Sequence, residues 1–214
     1  MTNNEPLTRI SFSKAMGGVD ENTLDRLDVY IGLLKKWQKA INLVGPKTLE
    51  DPWRRHILDS AQLIDLVNST EGDNNRIVDL GSGAGLPGLI VAIMTGLPVH
   101  LVESDQRKST FLREAARETK TNVDVHVGRI EAIQPLSGNI VTARALAPLV
   151  KLLPWVYRHL AKGGKTVLLK GADVDEELTV CSKQWTMNIT RKCSASDASG
   201  TVLIIENLSP LTED

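Results

Sequence analysis

The chain has 214 residues, 25 Lys and Arg against 26 Asp and Glu, and a net charge of −1, so it can bury a sizeable core as one large or two small domains and has no bulk basicity with which to hold a polyanion. Cys181 and Cys193 are too few for a disulfide framework, and neither they nor His56, His100, His126 and His159 show metal-ligand spacing, so no metal is expected. No signal-peptide pattern and no apolar run near the ~18 residues of a membrane span are present, which points to a cytoplasmic chain without membrane contact.

After a frayed start through Thr8, a short helix is expected over Ser11 to Met16, stopped by Gly17 and Gly18. Asp20 offers an N-cap for a longer helix to about Ala40, on which Leu24, Leu27, Ile31, Leu34 and Ile41 recur at threes and fours as one buried stripe. Lys35, Lys36 and Lys39 suit its C-terminal end. Gly45-Pro46 breaks the chain, and Pro52 opens a helix to about Asn68 with Trp53, Ile57, Ala61 and Ile64 inward. On it His56 lies one turn from Ser60 and Arg55 one turn from Asp59. The polar stretch Ser69 to Asn75, containing Gly72, reads as a linker. It divides a helical extension, residues 1–72, from a second domain, residues 73–214.

From Arg76 the pattern alternates. Strands are predicted at Ile77 to Leu80, Val99 to Glu103, Val123 to Val127, Ile140 to Ala143, Thr166 to Leu169, Met187 to Cys193 and Thr201 to Glu206, the last two as an antiparallel pair around the Ser194–Gly200 loop. Helices fall at Leu89 to Met94, Gln106 to Glu118, Leu149 to Leu160 (with Pro154 as a kink or a later start) and Asp175 to Lys183. This alternation predicts an α/β fold: a seven-stranded, mostly parallel sheet, helices on both faces, and a ligand at the carboxyl ends of its strands.

The run Arg76-Ile-Val-Asp-Leu-Gly-Ser-Gly-Ala-Gly-Leu-Pro-Gly88 supplies a strand, a glycine loop and a helix start, the arrangement that lets a nucleotide lie on bare backbone. Gly83, Gly85 and Gly88 fit the dinucleotide pattern G-x-G-x-x-G, whereas Gly81, Gly83 and Gly85 fit the G-x-G-x-G of S-adenosylmethionine enzymes. Glu103, at the end of the next strand, suits the ribose of either cofactor. Asp79 favours the methyl donor, because an acid there can hold a ligand ammonium that a pyrophosphate lacks. Arg129-Ile130-Glu131 and Arg144 also follow predicted strands. Glu131 could meet an adenine edge and Arg144 could position cofactor or substrate.

What is missing narrows the chemistry. Amino-group methylation often uses an Asn/Asp-Pro-Pro-aromatic loop after the fourth strand, and Arg144-Ala-Leu-Ala-Pro148 stands there instead. Carbon-5 methylation needs a thiolate near the site, while Cys181 and Cys193 fall in the late helix and closing strand, where packing is expected. Guanine N7 carries a free lone pair and needs neither device, so in-line placement without an indispensable general base would suffice. A nicotinamide-dependent oxidoreductase would need a substrate domain with a proton donor, for which the residues before the sheet look too helical and too few. A non-catalytic cofactor-sensing module is the other alternative.

Asn42-Leu43, Arg55-His56-Ile57-Leu58-Asp59-Ser60 and Asp79 through Gly88 together resemble the RsmG (GidB) family of bacterial small-subunit ribosomal RNA methyltransferases. Glu103-Ser104, Arg107-Lys108 with Phe111-Leu112, Arg129-Ile130-Glu131, Arg144-Ala145 and Leu169-Lys170-Gly171 continue the likeness over roughly residues 37–171. The resemblance implies a Rossmann-like class I fold and methyl transfer from S-adenosylmethionine to N7 of one guanine in the decoding-region loop of 16S RNA, in the small subunit or its precursor. It implies cofactor contacts at Gly81, Leu86, Ile130, Glu131 and Arg144. It also gives the N-terminal helices a task. Lys35, Lys36, Lys39, Lys47, Arg54 and Arg55 form a basic patch suited to RNA phosphate, with Arg55, His56 and Asp59 lining or bracing the substrate cleft and Lys170 also expected to meet substrate.

Overall fold

A computed structural model describes residues 5–68 and 76–211. Seven strands make one sheet: β1 (Ile77–Leu80), β2 (Val99–Glu103), β3 (Val123–Val127), β4 (Gly138–Arg144), β5 (Leu160–Lys170), β6 (Trp185–Cys193) and β7 (Thr201–Pro210). Their order is β3-β2-β1-β4-β5-β7-β6. The first five strands pair in parallel, and β7 lies antiparallel to both β5 and β6. Because β1 is flanked by β2 and β4, the order reverses at β1, and the crevice above its carboxyl end is where a ligand can enter between diverging loops.

Alternation along β1 sends its side chains to two separate cores. Ile77 belongs to a cluster with Leu89, Ile90 and Ile93 of α5 (Gly88–Thr95) and Phe111 and Leu112 of α6 (Gln106–Glu118). Val78 and Leu80 belong to the other, with Leu152, Leu153 and Val156 of α7 (Leu149–His159) and Leu178 of α8 (Val174–Cys181). The first cluster also contains Phe12 of α1 (Arg9–Ala15) and Leu24, Leu27, Tyr30 and Leu34 of α2 (Glu21–Gln38). The expected linker lies outside the described residues. On either side of it the chain shares one continuous core, so the helical extension is packed as a third layer against α5 and α6.

Local signals account for most element ends. Asp20 caps α2 by accepting from the Thr23 amide, and Asp105 caps α6 by accepting from Arg107 and Lys108. Gly96 ends α5 in the left-handed region, at φ 72°. Pro154 is accommodated within an unbroken α7. β5 starts earlier than predicted, at Leu160, and runs through Gly163 and Gly164 with a register shift against β4.

The clearest departure is the helix expected from Pro52 to Asn68. The chain forms a π-helical segment over Trp53–Leu58, then α3 (Asp59–Ala61) and α4 (Ile64–Asn68). The Asp59 amide reaches back to the Arg54 carbonyl. After α3, the Gln62 side chain donates to the Asp59 carbonyl at 2.7 Å, competing with the helical bond that would continue the helix. Wide turns of this kind concentrate at functional sites.

Candidate active site

Two cavities open over the carboxyl ends of the parallel strands. The smaller, about 260 Å³, lies between the ends of β1, β2 and β3 and is bounded by Glu103, Ile130, Glu131 and Trp155. The larger, about 680 Å³, runs from the glycine loop to the N-terminal helices and the β6–β7 loop. Gly81, Gly83, Lys108, Ala145 and Leu146 border both.

The glycine loop is held open by specific contacts. Gly81, Gly83 and Gly85 all take positive φ, at 66°, 55° and 81°. A Cβ on Gly81 would run into Leu146 Cδ1, so the β4–α7 loop lies directly on that backbone. From below, the buried Tyr30 hydroxyl of α2 donates to the Ala84 carbonyl at 2.8 Å. Glu103 braces the loop from the side: Oε2 accepts from the Gly83 amide and Oε1 from the Asp105 amide, each at 2.8 Å. Each carboxylate oxygen retains a lone pair, and Glu103 borders the small cavity, as a ribose partner must.

Asp79 departs from expectation. Its side chain is fully buried and borders neither cavity. Oδ1 accepts from Thr142 Oγ1 at 2.8 Å, while Oδ2 has no partner among the described residues. The carboxyl packs beneath the start of α5, where a Cβ on Gly88 would stand 2.6 Å from Asp79 Cβ. Burial pushes its pKa up to about 6. Residues alternate between the two sheet faces, and position 79 shares the face of Ile77, so the side chain is covered by α5 and kept from the ligand edge. Gly85 is also turned inward, against Leu89 and Leu112. Leu86 borders the large cavity.

On the opposite wall, the structure brings Arg55, His56, Asp59, Arg144 and Lys170 together around the large cavity. The expected one-turn pair of Arg55 with Asp59 does not form. Instead Asp59 Oδ2 accepts from Arg144 Nη1 at 2.9 Å, and Arg55 Nη1 donates to Asp197 Oδ2 at 2.7 Å. The Arg55 bond holds the Asp197 carboxyl well below the usual range, at about 2. His56 is buried and meets Thr48 Oγ1 through Nε2 at 2.9 Å, in place of Ser60 or Asp59. Burial, reinforced by the charges of Arg144 and Arg55, lowers its pKa to about 3, so the imidazole is neutral near pH 7.

Lys170 does not face the cavity as a free cation. It pairs with Glu177 at 2.7 Å and donates to the Ala147 carbonyl, while Glu177 accepts from the Leu149 amide at the start of α7. Five residues of the expected basic patch, Lys35, Lys36, Lys39, Lys47 and Arg54, do not line the cavity. Arg54 is tied to Asp51 and to the Glu5 carbonyl, Lys36 lies 3.7 Å from Glu114, and Lys39 is an exposed residue at the end of α2. Of the two cysteines, Cys181 is buried, but Cys193 is exposed at the end of β6.

Sequence reasoning missed the β6–β7 loop. Ser194, Ser196, Asp197, Ser199 and Gly200 border the large cavity, held there by Arg55, Asp59 and Gln62. Its composition carries no signal beyond that of a polar turn. Lys108 and Trp155 were also missed. The first stood in the Arg107-Lys108 pair of the family likeness without a role attached to it, and the second was one apolar position of α7.

Comparisons with known proteins identify the family and the fold. A family model described as GidB, rRNA small subunit methyltransferase G, matches residues 23–202. The chain is 52% identical over 192 residues to "Ribosomal RNA small subunit methyltransferase G" of Paramagnetospirillum magneticum, covering 90% of this chain and 92% of that protein. It is 46% identical over 205 residues to the protein of the same name from Rhodospirillum centenum, covering 96% and 94%. Among solved structures, an RNA methyltransferase from Salinibacter ruber in complex with S-adenosyl-L-homocysteine superposes with a TM-score of 0.55 at 21% identity, over 72% of this chain and 94% of that one. TYW2 of M. jannaschii in complex with AdoMet superposes at 0.54 and 13% identity, over 72% and 77%. At these identities the structural likeness speaks for the fold.

Proposed function

The chain belongs to the GidB family, the small-subunit ribosomal RNA methyltransferases G, and from that premise we propose that it transfers a methyl group from S-adenosylmethionine to N7 of one guanine of 16S ribosomal RNA, guanine 527. The supporting observation is the meeting of the two cavities over Gly81 and Gly83. Bare backbone at positive φ bordering both cavities, with a buried carboxylate beside it, fits a nucleoside cofactor. Glu103 would hold the ribose, Ile130, Glu131 and Trp155 would border the base, and Leu86 and Arg144 would flank the amino-acid end. When bound, S-adenosylmethionine supplies an electrophilic methyl on a sulfonium.

The residues of the large cavity suit a nucleophile that arrives with its lone pair free. His56 is neutral near pH 7, hydrogen-bonded and buried, and Asp59 and Asp197 are both held by arginines. These groups orient and exclude water. Alignment of the reacting atoms by such walls can supply on the order of 7–11 kcal/mol of a barrier. Exposed cations of the N-terminal segment, Lys35, Lys39 and Lys47 among them, would meet RNA phosphate, so binding should weaken as salt rises.

The deciding experiment incubates the protein with methyl-labelled S-adenosylmethionine and small subunits lacking the modification, then maps the label. Label confined to one guanine N7 is expected. Label on an exocyclic amine, a ribose or a pyrimidine carbon would overturn the assignment, and no label on subunit or naked RNA would overturn the substrate.

A further inference from the structure

We infer that Asp59 is a positioning residue that aims Arg144 into the large cavity and moors the β6–β7 loop as its far wall. The inference rests on the functional reading above for what the cavity binds, but its geometry stands alone. One carboxylate ties its own helical segment to two distant ones. Oδ2 accepts from Arg144 Nη1 at 2.9 Å, and Oδ1 accepts from Ser196 Oγ at 2.5 Å and from Gln62 Nε2 at 3.2 Å. The side chains of Arg144 and Asp59 are only 19% and 16% exposed, so water screens this pair far less than a surface ion pair.

The second Nη1 hydrogen of Arg144 goes to the Arg55 carbonyl at 3.1 Å. Nη1 is therefore fully used by the helical segment. Nε and Nη2 carry no hydrogen bond among the described residues and belong to a side chain bordering the cavity. A guanidinium clamped at one nitrogen, with its remaining donors unspent, is prepared to meet an acceptor on a bound ligand without first losing rotamer freedom.

The mooring of the loop follows the same logic. Ser196 is 8% exposed, whereas the second tie, Arg55 to Asp197, joins side chains that are 41% and 37% exposed and is the weaker clasp. Gln62 adds a bond to the Ala195 amide at 2.8 Å. Asp59 thus makes the cofactor-side arginine and the substrate-side wall answer to one group. The π-helical stretch before it lets Asp59 and the Arg55 carbonyl face the same guanidinium.

A double-mutant cycle on S-adenosylhomocysteine affinity, by titration calorimetry, tests the first arm. Asp59→Asn and Arg144→Ala should each weaken binding by about 10-fold or more, and the double variant should bind within about twofold of Arg144→Ala alone. Losses that simply multiply would overturn the coupling. Hydrogen exchange on the unliganded protein tests the second arm: Asp59→Asn and Ser196→Ala should both speed exchange at the Ser194 and Gly200 amides, and Arg144→Ala should not. Unchanged exchange in Ser196→Ala would overturn the mooring, even if Asp59→Asn fails to fold. Ser196→Ala should also raise KM for the small subunit more than it lowers kcat. Wild-type protein that binds no S-adenosylhomocysteine would reject the functional reading, while the exchange result still decides the positioning role.

Discussion

Asp79 offers a quantitative test of how the glycine loop is built. The carboxyl is fully buried, with one oxygen unpartnered, and its pKa is raised from 3.8 to about 6. A raised pKa means that the folded state favours the protonated form. The stabilising contribution is therefore complete below pH 3.8 and is lost as the pH rises through about 6, because the unfolded chain releases its proton first. The interval corresponds to about 3 kcal/mol at 1.36 kcal/mol per pKa unit. Burial is complete, so no allowance for solvent screening is needed. Urea denaturation of wild type and Asp79→Asn at pH values from 4 to 8 would measure it. The neutral amide cannot titrate, so the wild type should lose about 2.4 kcal/mol of that relative to the variant between pH 4 and 7, and the difference should level off above that. Using the difference cancels every other titrating group and any fixed cost of the amide. A difference that stays flat with pH would refute the placement of an ionisable carboxyl beneath α5.

Glu103→Ala should weaken cofactor affinity by about 10–100-fold in equilibrium dialysis, the worth of one charge-assisted bond. It should also lower stability by about 1–3 kcal/mol for each of the Gly83 and Asp105 amides it leaves unpaired. Gly88→Ala forces a methyl to within 2.6 Å of Asp79 Cβ and 2.7 Å of Leu101 Cδ2, and should cost about 1–3 kcal/mol in chemical denaturation. His56, with its pKa near 3, should show ring-proton NMR shifts that do not move between pH 5 and 8, and a titration near 6.5 would mean the ring is solvated.

Much of the site was legible because it lies where local rules act. Gly81 and Gly83 announce positive φ, Glu103 ends a strand of clear period, and Ile130, Glu131 and Arg144 follow strands whose parallel order puts their ends on one edge. Direction was harder. Strand position alone puts Asp79 at the ligand edge, but which face it occupies depends on where α5 lands. The partners of Arg55 and Asp59 were likewise invisible, because Asp197 and Arg144 are 142 and 85 residues away. Lys170 reads as a free cation until Glu177 folds back beside it.

Hydrophobic period, capping acids and glycines are short-range properties, so the chain's residues by themselves determined its strands and most of its helices, its glycine loop and the class of ligand that loop can cradle. Tertiary structure alone decided which charges neutralise one another, that the β6–β7 loop walls the cavity, and that Asp79 supports the loop from within. Those outcomes depend on long-range closure, in which each polar group takes whichever partner the packed cores leave within reach.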